Sequence, residues 1–244
     1  MRVSLFATCL GDQFFAESVA DCVRLLRSLD VDVSFPAGQT CCGQPAWNAG
    51  YREEALAMAR HTVRVFEGSA PVVLPSGSCA AMLRVFYPQL AEREQDGFTQ
   101  LAQRTFELSE FLVKVLGVTT LGDGLRGMRV AYHHGCHALR ELGVEKEPTA
   151  LLAAAGAEVV PWIADRECCG FGGTFAVKHP SVSAAMADRK LDTLPSPDCL
   201  TSADGGCLLQ LAGRSRLRGM SVTVRPLASL LWQARQASLS RPGA

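Results

Sequence analysis

Eight of the ten cysteines in this 244-residue chain fall into two matching sets. Each set is built on an adjacent pair: Cys41-Cys42, followed by Gly43, and Cys168-Cys169, followed by Gly170. Cys9 and Cys136 each precede their pair by 32 residues. Cys79 and Cys207 follow the second member of the pair by 37 and 38 residues. Four thiolates in one place suit a soft metal, either zinc or an iron–sulfur cluster. Neither set holds the C-x-x-C knuckle common in structural zinc sites. Adjacent cysteines diverge, so they suit a cluster in which each thiolate reaches a different iron. Glycines beside the pairs, Gly43 and the run Gly170-Phe171-Gly172-Gly173, would let backbone N–H groups approach cluster sulfurs or serve a tight turn.

Two other thiol chemistries compete. One is a framework of extracellular disulfides; the other is thiol–disulfide exchange at Cys41 and Cys42. The N-terminal run Arg2 to Thr8 reads as a strand and meets Gly11 and Asp12 too early for a signal-peptide core. No apolar run reaches the roughly 18–20 residues of a membrane span. The expected location is therefore cytoplasmic and reducing, where clustered thiols bind metal rather than pair. With 24 basic and 24 acidic side chains, the formal net charge is zero. This argues against a nucleic-acid partner, which would call for a basic surplus. No flavin or nicotinamide motif stands out, and Gly170 to Gly173 lacks G-x-G-x-x-G spacing. No catalytic residue is assigned; hydride abstraction from a substrate would fall to a partner.

The thiols need elements that bring them together. Val31 to Phe35 and Pro71 to Pro75 read as two further strands, separated by helical stretches. Asp12 to Leu29 repeats Phe15, Val19, Cys22, Leu26 and Leu29 at helical steps, which puts Cys22 on a buried stripe. Glu53 to Phe66 and Phe106 to Leu116 are also helical, and Ser76-Gly77-Ser78-Cys79 opens a helix. The pattern then restarts. Arg129-Val130 answers Arg2-Val3, Glu158 to Pro161 answers the second strand, and Asp198 to Thr201 answers the third, placing Cys199 in the core. Alternating strands and helices predict an α/β fold: two tandem duplicated Rossmann-like βαβ domains with parallel sheets, related by a pseudo-two-fold. The expected domains are residues 1–117 and 128–238, with Gly117 to Gly127 as linker and residues 236–244 as a frayed tail. In parallel sheets the ends of the strands share one edge, where ligands gather, so each cysteine set would converge there. His133, His134 and His137 flank Cys136; each is read as a loop-orienting polar group before a metal ligand. Arg214, Arg216 and Arg218 read as a solvated face.

The cysteine pattern, with Thr8-Cys9-Leu10, Cys41-Cys42-Gly43-Gln44-Pro45-Ala46 and Pro75-Ser76-Gly77-Ser78-Cys79, resembles the cysteine-rich CCG-domain family over nearly the whole chain. That family includes the cysteine-rich subunit of heterodisulfide reductase and the iron–sulfur subunit of glycolate oxidase. The resemblance is strongest to its lactate utilization protein A group. It implies an iron–sulfur subunit, with a [4Fe–4S] cluster, in a complex oxidising L-lactate. The implied partners are a ferredoxin-like iron–sulfur subunit and a third subunit. The implied ligands are Cys9, Cys41, Cys42, Cys79, Cys136, Cys168, Cys169 and Cys207. In the heterodisulfide reductase branch the last cysteine belongs to a C-x-x-C. Here its first member is Ser76 in one copy and Asp204 in the other, which leaves four thiols per site. Asp204 is then a candidate oxygen ligand. Two alternatives stay open: zinc at one or both sites of a scaffold subunit, and a heterodisulfide reductase-like thiol/disulfide redox subunit.

Overall fold

The computed structural model describes residues 1–90 and 95–240; residues 241–244 of the expected tail lie outside the described residues. The first half runs β1 (Arg2–Leu5), α1 (Cys9–Phe14), α2 (Ala16–Arg27), β2 (Asp32–Ser34), α3 (Gln44–Asn48), α4 (Arg52–Val65), β3 (Val72–Leu74) and α5 (Gly77–Ala81). It continues through a π-type turn at Met82–Phe86 to α6 (Tyr87–Leu90), α7 (Gln95–Gln103), β4 (Thr105–Glu107) and α8 (Leu108–Glu110), then a second π-type turn, Phe111–Val115. The second half runs β5 (Arg129–Tyr132), α9 (Cys136–Arg140), α10 (Lys146–Ala154), β6 (Glu158–Val159), α11 (Phe175–Lys178) and α12 (Pro180–Asp192). It ends with β7 (Cys199–Ser202), α13 (Gly205–Leu217), β8 (Val224–Pro226) and α14 (Leu227–Leu239).

Each half holds a four-stranded sheet, ordered β2-β1-β3-β4 and β6-β5-β7-β8, with all pairings parallel. Parallel strands need covered faces, and the central strands β3 and β7 are buried throughout. The expected α/β architecture with two parallel-sheet units is what the chain adopts. Two strands differ from expectation. Thr105–Glu107 is a strand rather than the start of a helix, and β8 lies where no strand is predicted above. Both are three-residue edge strands, too short for alternation to show; Pro226 is tolerated at the end of one because an edge leaves its missing N–H unneeded. The predicted helix over Asp12 to Leu29 is two helices, broken at Phe15, whose φ of −135° and ψ of 37° leave the helical region. Residues 236–239, expected to fray, continue α14.

The halves exchange equivalent contacts, as a pseudo-two-fold requires. α5 packs on α9 and α13 on α1; α2 packs on α14 and α10 on α8. One apolar core runs through the junction, joining Cys22, Leu25 and Leu26 to Leu227, Leu230, Leu231 and Ala234. The segment read as a linker contributes Leu121 and Leu125 to that core, so it is packed rather than free.

Glu107, fully buried at the junction of β4 and α8, caps that helix. Its Oε2 accepts from the N–H of Ser109 (2.8 Å) and of Glu110 (3.1 Å), and from the Ser109 hydroxyl. Burial nevertheless pushes its carboxyl from 4.5 up to about 7. An acid raised on folding holds a proton that the unfolded chain has released. Its stabilising effect is complete below about pH 4.5 and is lost as pH rises through about 7. Glu107→Gln is therefore expected to lose on the order of 2–3 kcal/mol less stability than the parent between pH 5 and 8. Urea denaturation across that range reads this directly, and parallel stability profiles would contradict it.

Candidate metal centres

Every cysteine of the two sets follows a strand, and Cys9, Cys79, Cys136 and Cys207 sit in the first turn of a helix. Cys9 opens α1, behind Thr8, whose Oγ1 accepts from the Gly11 N–H at 3.0 Å. Thr8 has φ of 67° and ψ of 147°, a conformation costly for a β-branched residue and held here by that bond and by burial. Cys136 opens α9 behind Gly135. Cys79 and Cys207 are each the third residue of α5 and α13, whose capping positions are Ser76 and Asp204. The Ser76 hydroxyl accepts from the Cys79 N–H at 3.3 Å. The adjacent pairs lie in the loops after β2 and β6. Gly43 and Gly170, at φ of 86° and 84°, turn the chain away from each pair. At Gly170 a Cβ would meet the Ser183 carbonyl at 2.6 Å, so no other residue fits. The same turn brings its N–H to Cys168 Sγ at 3.4 Å, and the Phe171 N–H to Cys169 Sγ at 3.5 Å. At Gly170 one turn both bends the chain and aims an N–H at a cysteine sulfur.

The thiols of each set touch in series. Cys9 Sγ lies 3.6 Å from Cys41 Sγ, and Cys42 Sγ lies 3.4 Å from Cys79 Sγ. Hydrogen bonds from Cys42 and Cys9 hold the Cys41 thiol down at about 3, so it is the natural thiolate of the first set. Cys168 is held at about 2 by Cys136 and Cys169 in the same way. Bonding to Cys41 raises Cys42 and Cys9, and bonding to Cys168 raises Cys169 and Cys136. In each set one sulfur is thus favoured as thiolate over the two thiols bonded to it, and a soft cation favours the thiolate form of those two as well.

The eight thiols open on one cavity of about 320 Å³, shared by the two halves. Its remaining wall is largely apolar, including Leu10, Phe15, Val19, Phe171 and Val177. A cavity this size exceeds what thiol side chains fill. It leaves room for more than a single ion in front of the sulfurs. The donor chemistry fits a soft metal group: four sulfurs per set, one already anionic, with backbone N–H groups aimed at sulfur. Cys22 and Cys199 stand apart in the core. Burial raises Cys22 and lifts Cys199 to about 11, so both stay thiols.

Asp204 lies 3% exposed between the sets. Its Oδ1 accepts from the Ser78 N–H at 2.8 Å and from the Ser76 hydroxyl at 3.1 Å. The residue that caps the helix of Cys207 therefore ties down the helix of Cys79 in the other half. That oxygen, a candidate metal ligand by sequence, is engaged by protein donors. The two positions that depart from the C-x-x-C pattern bond to each other. Beside them Gly77 meets α9 so closely that an added Cβ would overlap the Ala138 Cβ. Gly77→Ala is expected to push α5 off α9 and to cost about 1–3 kcal/mol, the usual cost of overpacking. An unchanged urea midpoint would show that the two helices are not in tight contact.

The second set has surroundings that the first lacks. His133 is fully buried, with Nδ1 3.2 Å from the Asp165 carbonyl, and burial lowers it to about 3. Lys190, also fully buried, donates to the Ala164 carbonyl and lies 4.3 Å over the Trp162 ring. Burial lowers it to about 8. Nothing in the sequence around Lys190 signals this placement. His134 is buried and lies 3.9 Å from Asp165, and His137 lies 3.3 Å from Glu141. Arg214 and Arg218, read as a solvated face, pair instead with Asp188 and Asp192 of α12.

Lactate utilization protein A of Geobacillus sp. (strain WCH70) is 43% identical over 237 residues, covering 95% of this chain and 99% of that protein. Lactate utilization protein A 2 of Bacillus cereus (strain Q1) is 40% identical over 237 residues, covering 95% of this chain and 98% of that protein. Residues 3–84 and 130–212 each match the cysteine-rich domain named CCG, and each stretch carries one complete cysteine set. The chain belongs to the cysteine-rich CCG domain family, and carries two copies of that domain.

Proposed function

We propose that this chain is a cytoplasmic iron–sulfur subunit that carries electrons in a complex oxidising L-lactate or a similar 2-hydroxy acid. Its proposed partners are a ferredoxin-like iron–sulfur subunit and a third subunit. The observation that carries the reading is the meeting of eight thiols on one cavity shared by the two halves. Two redox groups opening on one shared cavity suit electron transfer better than two isolated structural ions do. The relatives' name supports lactate utilization as the process. Among the described residues no helix is long and apolar enough to cross a membrane.

Cys9, Cys41, Cys42 and Cys79 would hold one group, and Cys136, Cys168, Cys169 and Cys207 the other. A bound iron–sulfur cluster supplies one-electron storage. The chain does the rest. The thiolates fix each group to a sheet edge, the Gly170 and Phe171 N–H groups donate to sulfur, and the apolar wall limits water. Lys190 sets a buried cation near Cys169 and Cys207 and offsets their negative charge.

A second reading, zinc at one or both sites of a scaffold subunit, is favoured by one observation. Sulfur separations of 3.6 and 3.4 Å approach the edge of a tetrahedron around one ion, about 3.8 Å for zinc–sulfur bonds of about 2.3 Å. The process itself is tested in a strain lacking this chain. It should fail to grow on L-lactate, grow normally on glucose, and recover with the intact gene but not with Cys41→Ser. Unimpaired growth on L-lactate would rule out the proposed role.

A further inference from the structure

The two sites are not chemical copies. The first residue after β1 is Phe6, stacked on Phe66 at 5.3 Å between ring centres. The first residue after β5, at the matching position, is His133. One ring nitrogen of His133, Cys169 Sγ and Cys207 Sγ all lie within 4.8 Å of one another. The imidazole is fully buried, and its Nδ1 faces the Asp165 carbonyl, which can only accept. That contact puts the proton on Nδ1 and leaves a bare lone pair on Nε2. No protein group bonds to Nε2 among the described residues, although the atom is out of reach of solvent. A buried nitrogen with no partner is costly, and one backed by a carbonyl on its far side has the form of a metal ligand.

We infer that Nε2 of His133 is a metal ligand of the second site, joining Cys169 and Cys207. The second centre then has a mixed nitrogen–sulfur donor set, and the first is bound by sulfur alone. This rests on the metal-site reading above and extends it. Imidazole is neutral where thiolate is anionic, so taking the place of one of the four thiolates it leaves a metal group less negative and easier to reduce, as in Rieske centres. Electrons shared between the sites would then settle on the second.

Cadmium-113 bound to the metal-free full-length chain reports its donors directly. Two resonances are expected, one from a sulfur-only site and one displaced by a nitrogen donor. With ring-15N-labelled histidine, only the displaced resonance should split through one-bond coupling. His133→Phe, which installs the residue of the first half, should abolish that splitting and leave the other resonance in place. The labelled parent protein needs no variant to fold, so absence of coupling in it overturns the inference by itself. Coupling that survives His133→Phe also overturns it, pointing to another histidine. Uptake at neither site would remove both this inference and the metal reading beneath it, whereas two sulfur-only resonances would remove this inference alone.

Discussion

Cys41→Ser is expected to empty the first site and leave the second loaded, roughly halving the metal bound per chain. Cys41 is the anionic sulfur of its set, bonded to both Cys42 and Cys9. Serine is a poor ligand for a soft metal, and it removes the charge that starts assembly. Cys169→Ser should empty the second site by the same argument. The controls are Cys22→Ser and Cys199→Ser. Both residues lie in the shared core. A buried hydroxyl left without a partner there costs about 1–3 kcal/mol, yet should leave the metal content and absorbance of both sites intact. Metal analysis beside visible absorbance separates the cases. If Cys22→Ser bleached a site while the protein stayed folded, the assignment of four thiols to each set would be wrong.

Asp204→Ala should cost about 2–4 kcal/mol, because it strips a buried carboxylate from two donors at once. The Ser78 N–H and the Ser76 hydroxyl would both lose the acceptor they share. The loss should also be felt at a distance. Asp204 begins the helix of Cys207 and secures the helix of Cys79, so metal should be held more weakly at both sites. Asp204→Asn keeps a carbonyl oxygen for the same donors and should recover most of the stability. If Asp204 instead bound metal through oxygen, the alanine variant would weaken the second site alone and leave urea stability of the metal-free protein unchanged. Chelator competition and urea denaturation on the same preparations distinguish these outcomes.

Much of this architecture is legible in the chain because its signals repeat. The apolar runs at Arg2, Val31 and Pro71 recur at Arg129, Glu158 and Asp198 in phase with the cysteines, and the observed sheets share one strand order. Strand-end placement of the thiols follows from parallel connectivity. The edge strands β4 and β8 were not legible, since three residues cannot display a period of two. The break at Phe15 was hidden because its apolar spacing continues through the bend. Contacts between the halves leave no trace in local pattern. Asp204 and Ser76 stand 128 residues apart, and nothing near either shows that they bond. The shared cavity is hidden for the same reason, because repeat spacing says nothing of how repeats face each other. His133 was visible beside Cys136, but its unpartnered nitrogen belongs to the tertiary structure.

The central claim is that the paired thiol sets hold redox-active iron–sulfur groups. Purification without oxygen, followed by iron, zinc and acid-labile sulfide analysis of the intact chain, tests it most directly. Iron and sulfide in equal amounts, with visible absorbance that bleaches on reduction, is the predicted result. Stoichiometric zinc without sulfide, persisting after anaerobic reconstitution with iron and sulfide, would contradict it.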